Sequence, residues 1–247
     1  MTAKPLVSVL INNYNYGSFI RQAIDSVLSQ TYSNFELIIV DDGSTDDSVK
    51  IINSYDDSRI IKVFQENCGQ AETFNVGFSR SQGELIAFLD SDDWWAPEKI
   101  QVVVEWNEFL VGNFAMLQHF VNVWDDGKVK RFHAALFSGD YFEQTQRGLL
   151  RGSCFTGTSG LVFKRAILEN IMPVPKELRI AADAYLTRAT FPHGLIYSIP
   201  KVLGYYRKHS NAVLCNNQFD CSSFFSDQLF PLINSYYEKL GLGYRFK

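Results

Sequence analysis

Along its first hundred residues the chain switches repeatedly between two hydrophobic periods. The run from Leu6 to Ile11 is short and apolar, which predicts a buried strand. Phe19, Ile20, Ala23, Ile24, Val27 and Leu28 then mark one face of a helix. Phe35 to Val40 predicts a second strand. Ser44 and Asp47 stand like a capping box, with Asp in the usual Glu or Gln place, ahead of a helix carrying Val49, Ile52 and Tyr55. Ile60 to Phe64 is a third strand, and Ala71, Phe74 and Phe78 are the buried face of a third helix. Leu85 to Leu89 is a fourth strand. Pro97 suits an early helical position, where its missing N–H has no partner to lose. This strict alternation predicts an α/β fold with a mostly parallel sheet and right-handed crossovers.

Further on the rhythm changes. Phe109 to Trp124 lacks Asp, Glu, Lys and Arg, but it is too short for a bilayer span and contains Gly112, Asn113, Gln118 and Asn122. It reads as a helix end followed by a strand. Asp125-Asp126-Gly127, between Val121–Val123 and Lys128–Val129, predicts a hairpin. Gly152 to Gly160 is rich in Gly, Ser and Thr and reads as a loop. Leu161 to Phe163 predicts a short strand and Lys164 to Ile171 a short helix, before Pro173 and Pro175 break the pattern. Asp183 to Phe191 reads as helix, Val202 to Tyr206 as strand and Phe224 to Leu240 as a helix of mixed polarity. One compact unit is expected, its second half building the other wall of a cleft.

Composition narrows the classes. A length of 247 residues, 46% of them hydrophobic, is enough for one large α/β domain with a real core. A formal net charge of −4 argues against nucleic acid as a partner held by bulk electrostatics. Cys68, Cys154, Cys215 and Cys221 are scattered and form no Cys-x-x-Cys, so neither a zinc site nor a disulfide scaffold is indicated. That usage fits a reducing compartment. Val7 to Ile11 is too short for the apolar core of a signal peptide. A cytoplasmic chain is expected, with membrane contact at most peripheral.

The densest chemistry follows the fourth strand. Phe88-Leu89-Asp90-Ser91-Asp92-Asp93-Trp94-Trp95 runs from an apolar strand directly into three carboxylates. Open α/β sheets hold their ligands at the carboxyl ends of strands. Clustered carboxylates repel one another unless a cation or donor groups satisfy them. A hard, oxygen-loving Mg²⁺ or Mn²⁺ suits them, and it usually arrives with substrate phosphates. An isolated Asp-x-Asp is more often a solvated turn. Here the other strand ends reverse that preference. Asn12 and Tyr14 follow the first strand, and Asp41 and Asp42 end the second. An aromatic ring and a carboxylate suit a nucleobase, and the acidic cluster suits a diphosphate through a metal. The first strand is followed by neither Gly-x-Gly-x-x-Gly nor Gly-x-x-x-x-Gly-Lys-Ser/Thr. The chain also lacks Gly-x-Ser-x-Gly and His-Glu-x-x-His. A nucleotide-diphosphate cleft is the reading that remains.

Four motifs in order then carry a resemblance: Val7-Ser8-Val9-Leu10-Ile11-Asn12-Asn13-Tyr14-Asn15, Gln30-Thr31-Tyr32, Glu36 to Asp46 with its Asp41-Asp42-Gly43-Ser44, and Asp90-Ser91-Asp92-Asp93. Together they resemble glycosyltransferase family 2, densely over the first hundred residues and sparsely to about His209. The resemblance implies the GT-A fold, a Rossmann-like sheet flanked by helices with a smaller acceptor-side subregion. It implies a nucleotide-sugar half over residues 1–112, an acceptor-side half over 113–212 and a C-terminal helical segment over 213–247. It further implies metal-dependent, inverting transfer from a nucleotide-diphospho sugar, with UDP expected and dTDP as runner-up. By matching position, Asn12, Tyr14 and Asp42 would line the base and ribose pocket. Asn75 falls in a helix near the donor, Asp90 near the ribose or sugar, and Asp92 or Asp93 on the metal. The segment Tyr205 to Asn211 resembles the family's late His segment, so His209 would reach the metal or diphosphate; a surface histidine is the alternative.

The family places a Glu-Asp pair at a helix start, and Ala181-Ala182-Asp183-Ala184 matches it with Ala182 in place of Glu. Asp183 is then the expected general base, since a sugar hydroxyl is a poor nucleophile until its proton is taken. A helix N-cap is its competing reading. Gly157 to Gly160 reads first as an ordinary loop and second as a sugar contact. Trp94 and Trp95 suit either a sugar face or the core. The expected partners are a nucleotide-sugar donor and a saccharide or lipid-linked saccharide acceptor, in bacterial cell-surface polysaccharide or glycolipid assembly at the inner membrane face. Two rivals stand beside this. A sugar-phosphate nucleotidyltransferase would want a basic Gly-rich loop, and Asn12 to Gly17 has no Lys or Arg. A non-catalytic sugar-nucleotide binder is favoured only by Ala182.

Overall fold

A computed structural model describes residues 4–131, 136–149, 155–210 and 220–247. Cys154, Asn211, Cys215 and the start of the Gly152–Gly160 loop lie outside the described residues. Strands β1 (Val7–Asn13), β2 (Phe35–Asp41), β3 (Ile60–Phe64) and β4 (Leu85–Asp90) form a parallel block in the spatial order β3-β2-β1-β4. Helices α1 (Ile20–Leu28), α2 (Ser48–Asn53) and α3 (Gln70–Arg80) make the crossovers. The order reverses between β1 and β4, which opens a crevice at their carboxyl ends.

After the short β5 (Trp94–Trp95) and α4 (Lys99–Phe109), the chain adds the β6 (Met116–Asp125) and β7 (Lys128–Arg131) hairpin. The hairpin turns at Asp126 and Gly127, both with positive φ, as its tight geometry requires. Then come α5 (Tyr141–Gln146), β8 (Leu161–Lys164), α6 (Arg165–Ile171), α7 (Ala182–Thr190) and β9 (Ile196–Lys208). The same sheet continues as β4-β8-β6-β9-β5, with β8 antiparallel to both its neighbours and β9 parallel to β6. A short α8 (Cys221–Ser223), a π-helical stretch over Phe224–Leu229 and α9 (Phe230–Lys239) complete the fold.

Alternate residues of each central strand serve different layers. Val9 and Ile11 of β1, with Ala87 and Leu89 of β4, pack against Ile20, Ile24 and Val27 of α1 and Val103 of α4. Leu10, Ile86 and Phe88 point the other way, into the core that also takes Phe74 of α3, Leu186 of α7 and Tyr237 of α9. Each such fully buried side chain stabilises the fold by about 1.5–3 kcal/mol. This two-sided burial is why the strands read as continuous apolar runs.

Three local expectations are corrected. The second helix begins at Ser48, so Ser44 and Asp47 form no capping box; Asp46 Oδ1 accepts the Ser48 N–H at 2.9 Å instead. That helix also ends before Tyr55. The strand expected at Val202 starts at Ile196, because the register shift between Ile199 and Val202 accommodates Pro200.

Candidate active site

The site grows from the ends of β1, β2 and β4. After β1 the chain turns through Asn15, whose φ of 57° is held by two bonds to the loop after β2. Its N–H donates to Ser44 Oγ at 2.8 Å, and its Oδ1 accepts the Thr45 N–H at 2.7 Å. Gly17 N–H adds a third tie, to Asp46 Oδ2 at 2.7 Å. The stitched loops hold Tyr14 at the cleft mouth, 47% exposed. Asp42 anchors the next loop: Oδ1 accepts from Gln65 Nε2 at 2.7 Å and Cys68 N–H at 2.9 Å, and Oδ2 from Gly69 N–H at 2.8 Å. Gly69 has φ +95°, and a Cβ there would stand 2.7 Å from Arg179 Cα. Only glycine fits that crossing of the two halves.

Asp92 and Asp93 face opposite ways. Asp92 lines the cleft, and its Oδ2 lies 2.9 Å from His209 Nε2. The His209 ring packs on Phe19 and Tyr16, with centroids at 4.7 and 5.5 Å, so it is no surface histidine. Asp93 turns inward. Its Oδ2 accepts from Ser159 Oγ at 2.5 Å and its Oδ1 from Arg207 N–H at 2.8 Å. Both Asp93 oxygens are thus engaged inside the fold, and of the two candidate metal ligands Asp92 is the one that lines the cleft. Trp95 is core, and buried Lys99 lies 3.3 Å over its ring. Trp94 stacks on Tyr205 at 5.0 Å and carries the Arg207 guanidinium on its face.

The opposite wall is the start of α7. Ala181 is its cap residue, in the left-handed region at φ 52°, and Gln70 Oε1 accepts the Ala182 N–H at 2.9 Å. Asp183 is thus the second helical residue, so the cap position belongs to Ala181, and Asp183 lines the cleft. Strain of this kind at a non-glycine residue clusters at functional sites. Asn75 stands off the cleft wall, and its amide makes both its close bonds, at 2.9 and 2.7 Å, to the Val174 main chain.

The cleft measures about 360 Å³ and gathers Asn12, Tyr14, Asp42, Asp90, Asp92 and Asp183 from both halves of the chain. Burial pushes the Asp90 carboxyl up, helped by the charges of Asp92 and Asp183. Burial also raises Asp183, and raises the Tyr16 phenol with help from Asp92 and Asp90. The interior therefore crowds carboxyl groups that hold their protons longer than usual, and Arg179 is the single cation among its lining residues. Sequence reading missed Tyr16, Gln70, Thr158 as a wall residue, and Arg179. Arg179 follows a proline-broken stretch without periodicity, and bonds to the start of α3 hold it at the cleft, its carbonyl accepting from Gln70 N–H at 2.9 Å and its guanidinium donating to the Cys68 carbonyl at 3.1 Å.

Among the described residues no three His, Cys, Asp or Glu side chains converge as a closed metal centre. A substrate-carried Mg²⁺ needs less, because one or two carboxylates suffice when phosphates and waters complete the shell. Asp92 fits that arrangement. So does the chemistry around it: Asn12 Oδ1 and Ser91 Oγ are buried oxygens without a partner on the same wall.

Residues 8–172 match the family model described as Glycosyl transferase family 2. The chain belongs to glycosyltransferase family 2. A glycosyltransferase of Nostoc sp. (strain PCC 7120) is 37% identical over 230 residues, covering 90% of this chain and 69% of its own. The Escherichia coli UDP-Glc:alpha-D-GlcNAc-diphosphoundecaprenol beta-1,3-glucosyltransferase WfaP is 43% identical over 122 residues, 47% of this chain and 49% of WfaP. The putative teichuronic acid biosynthesis glycosyltransferase TuaG of Bacillus subtilis is 44% identical over 105 residues, 41% of this chain and 42% of TuaG. The match thus spans less than half of WfaP and TuaG. The fold is shared with Staphylococcus aureus TarS: its UDP-GlcNAc complex superposes with a TM-score of 0.76 at 19% identity, covering 97% of this chain and 68% of the TarS fragment. This glycosyltransferase therefore has the GT-A type of α/β fold. Among its described residues no helix is long and apolar enough to cross a membrane.

Proposed function

We propose that this glycosyltransferase moves a sugar from a UDP-sugar to an acceptor hydroxyl with inversion at the anomeric carbon. The observation that carries the reading is Asp183. It is a half-buried carboxylate at the second position of α7, its carboxyl raised by desolvation, and it lines the same cleft as Asp90 and Asp92. A base in that position removes the acceptor proton as the oxygen attacks. Displacement from the face opposite the diphosphate inverts the centre, as in inverting glycoside hydrolysis with a sugar hydroxyl in place of water. Tyr14 and Asp42 would receive the base, and Asp92, with His209 beside it, would hold a Mg²⁺ or Mn²⁺ against the diphosphate. That cation supplies charge neutralisation for the leaving group. The UDP-Glc donor of WfaP and the UDP and UDP-GlcNAc bound by TarS support a uridine nucleotide. The lipid-linked sugar acceptor of WfaP and the teichuronic acid biosynthesis of TuaG support a saccharide or lipid-linked saccharide acceptor in cell-surface polysaccharide assembly.

The deciding experiment compares wild type with Asp183→Asn. Turnover of a UDP-sugar should fall by about 10²–10⁴-fold, while calorimetric UDP affinity stays the same. Near-normal turnover, or a product that retains the anomeric configuration, sinks the mechanism. Tightest binding of GDP among UDP, dTDP and GDP sinks the nucleotide assignment.

A further inference from the structure

Beyond its ladder with β5, where Trp94 pairs with Tyr205, strand β9 runs on through Arg207 towards His209. Arg207 lies outside the lining of the cleft, yet it bonds the carboxylate segment twice. Its main-chain N–H donates to Asp93 Oδ1 at 2.8 Å, and its Nε donates to the Asp92 carbonyl at 2.9 Å. Its Nη2 donates to Gln22 Oε1 of α1. The guanidinium also packs on two rings, 4.6 Å from the Trp94 centroid and 5.0 Å from that of Phe19. Phe19 carries the His209 ring as well, at 4.7 Å. His209 Nε2 then closes the circuit, 2.9 Å from Asp92 Oδ2.

We infer that Arg207 is a positioning residue whose guanidinium fork holds Asp92 and His209 together as the pair that meets the diphosphate and its cation. The inference rests on the proposed role of Asp92 and His209, and adds what fixes them in place. Residues two apart in an extended strand fall on the same side, which brings the Arg207 and His209 side chains to one ring. Holding the Asp92 carbonyl fixes the main chain from which its carboxylate swings. The bond to Asp93 fixes the next residue. Nε and Nη2 lie in one rigid plane, so a single side chain ties the Asp92 main chain to α1 in one geometry. A lysine ammonium is a point charge on a flexible stem and lacks that plane. If Arg207 only fastened β9 to α1, its loss would lower the melting temperature and leave the cation dependence of donor binding untouched.

The test compares the full wild-type chain with Arg207→Lys and Arg207→Met. The first keeps the charge, the second keeps the apolar stem, and both lose the fork. The first readout needs neither nucleotide nor metal. It is the nuclear Overhauser contact between the Phe19 ring and the His209 imidazole, whose signal is assigned by its loss in His209→Gln. Wild type should show the contact, and both variants should lose most of its intensity. The second readout is calorimetric UDP affinity with Mn²⁺ and with chelator. The Mn²⁺-dependent gain should fall about 10- to 100-fold in both variants, the usual cost of losing a partner that orients a ligand, while affinity in chelator stays within about twofold of wild type. A wild-type ring contact, or a wild-type Mn²⁺ gain, in both variants overturns the inference while leaving Asp92 in its role. A full Mn²⁺ gain in Asp92→Ala, or none in wild type, overturns the underlying reading itself. If circular dichroism shows both Arg207 variants unfolded, Gln22→Ala removes one partner of the fork from an exposed position of α1, and the same two readouts should move in the same direction.

Discussion

At the scale of single residues, the cleft assigns different work to neighbours of identical chemistry. Asp92 presents its carboxylate to the cleft and to His209, whereas Asp93 is consumed by Ser159 and the Arg207 main chain. Asp92→Ala should therefore abolish the Mn²⁺-dependent part of UDP binding in calorimetry and leave the melting temperature near wild type. Asp93→Ala should do the reverse first, costing about 1–3 kcal/mol for each buried partner left unsatisfied, as seen in denaturant melts. Asp183 carries a pH signature as well. Burial raises its folded pKa, so the folded state holds that proton longer than the unfolded chain. Its stabilising contribution is complete below the ordinary carboxylate range and is lost as pH rises through the folded value. Asp183→Asn lacks that loss. The stability of Asp183→Asn minus that of wild type should grow from about pH 4 towards pH 8, and a flat difference across that range would contradict the assignment.

At the scale of elements, two helices from different halves build the site by sharing their first turns. The N–H groups of Gln70 and Ala71, at the start of α3, donate to the carbonyls of Arg179 and Leu178 at 2.9 and 3.3 Å. The Gln70 side chain returns a bond to the first N–H of α7. Gly69 makes this possible, since its positive φ and missing Cβ let the chain pass against Arg179. Gly69→Ala should destabilise by about 1–3 kcal/mol, from backbone strain plus the forced separation of the two helix starts. The same variant should weaken UDP binding and slow turnover together, because Asp42 and Asp183 are both tied to that crossing. Thermal melts and calorimetry on one preparation check both effects. The pair also explains how α7 begins without a side-chain cap of its own: the cap is borrowed from α3.

At the scale of the whole molecule, the C-terminal segment is part of the core. Phe224, Leu229, Ile233 and Tyr237 are buried, and Tyr237 donates its hydroxyl to the Arg188 carbonyl of α7 at 2.8 Å. Asn234 closes the end of the chain by bonding Phe246 through both its donor and its acceptor, at 3.0 and 2.8 Å. The helix that carries Asp183 is thus backed by residues about fifty positions later. Tyr237→Ala should cost about 3–5 kcal/mol by creating a large cavity, and the loss should appear in denaturant unfolding. Donor binding should survive at temperatures where the variant remains folded, because the proposed UDP site lies at the ends of β1, β2 and β4, away from Tyr237.

The amino-acid sequence by itself determined the parallel block and the residues at its carboxyl end that line the cleft. Buried parallel strands leave continuous apolar runs, and the carboxylates and amides at their ends follow directly in the chain, as in Leu85 to Asp93 and Val7 to Tyr14. It also marked Asp183 and His209, whose surroundings matched in order though not in full. What it left open were choices between adjacent or distant groups. Whether Asp92 or Asp93 faces the cleft depends on Ser159 and Arg207, which lie 66 and 114 residues further along. Whether Asn75 meets a nucleotide or a main chain depends on Val174, 99 residues away. Arg179 and Gln70 entered the site through such long-range bonds, and Thr158 through those of its neighbour Ser159, with no periodicity or spacing to announce them. Local patterns record which face of an element is buried; only the packed chain decides which polar partner reaches a side chain first, because that contest is settled by geometry across sequence-distant segments.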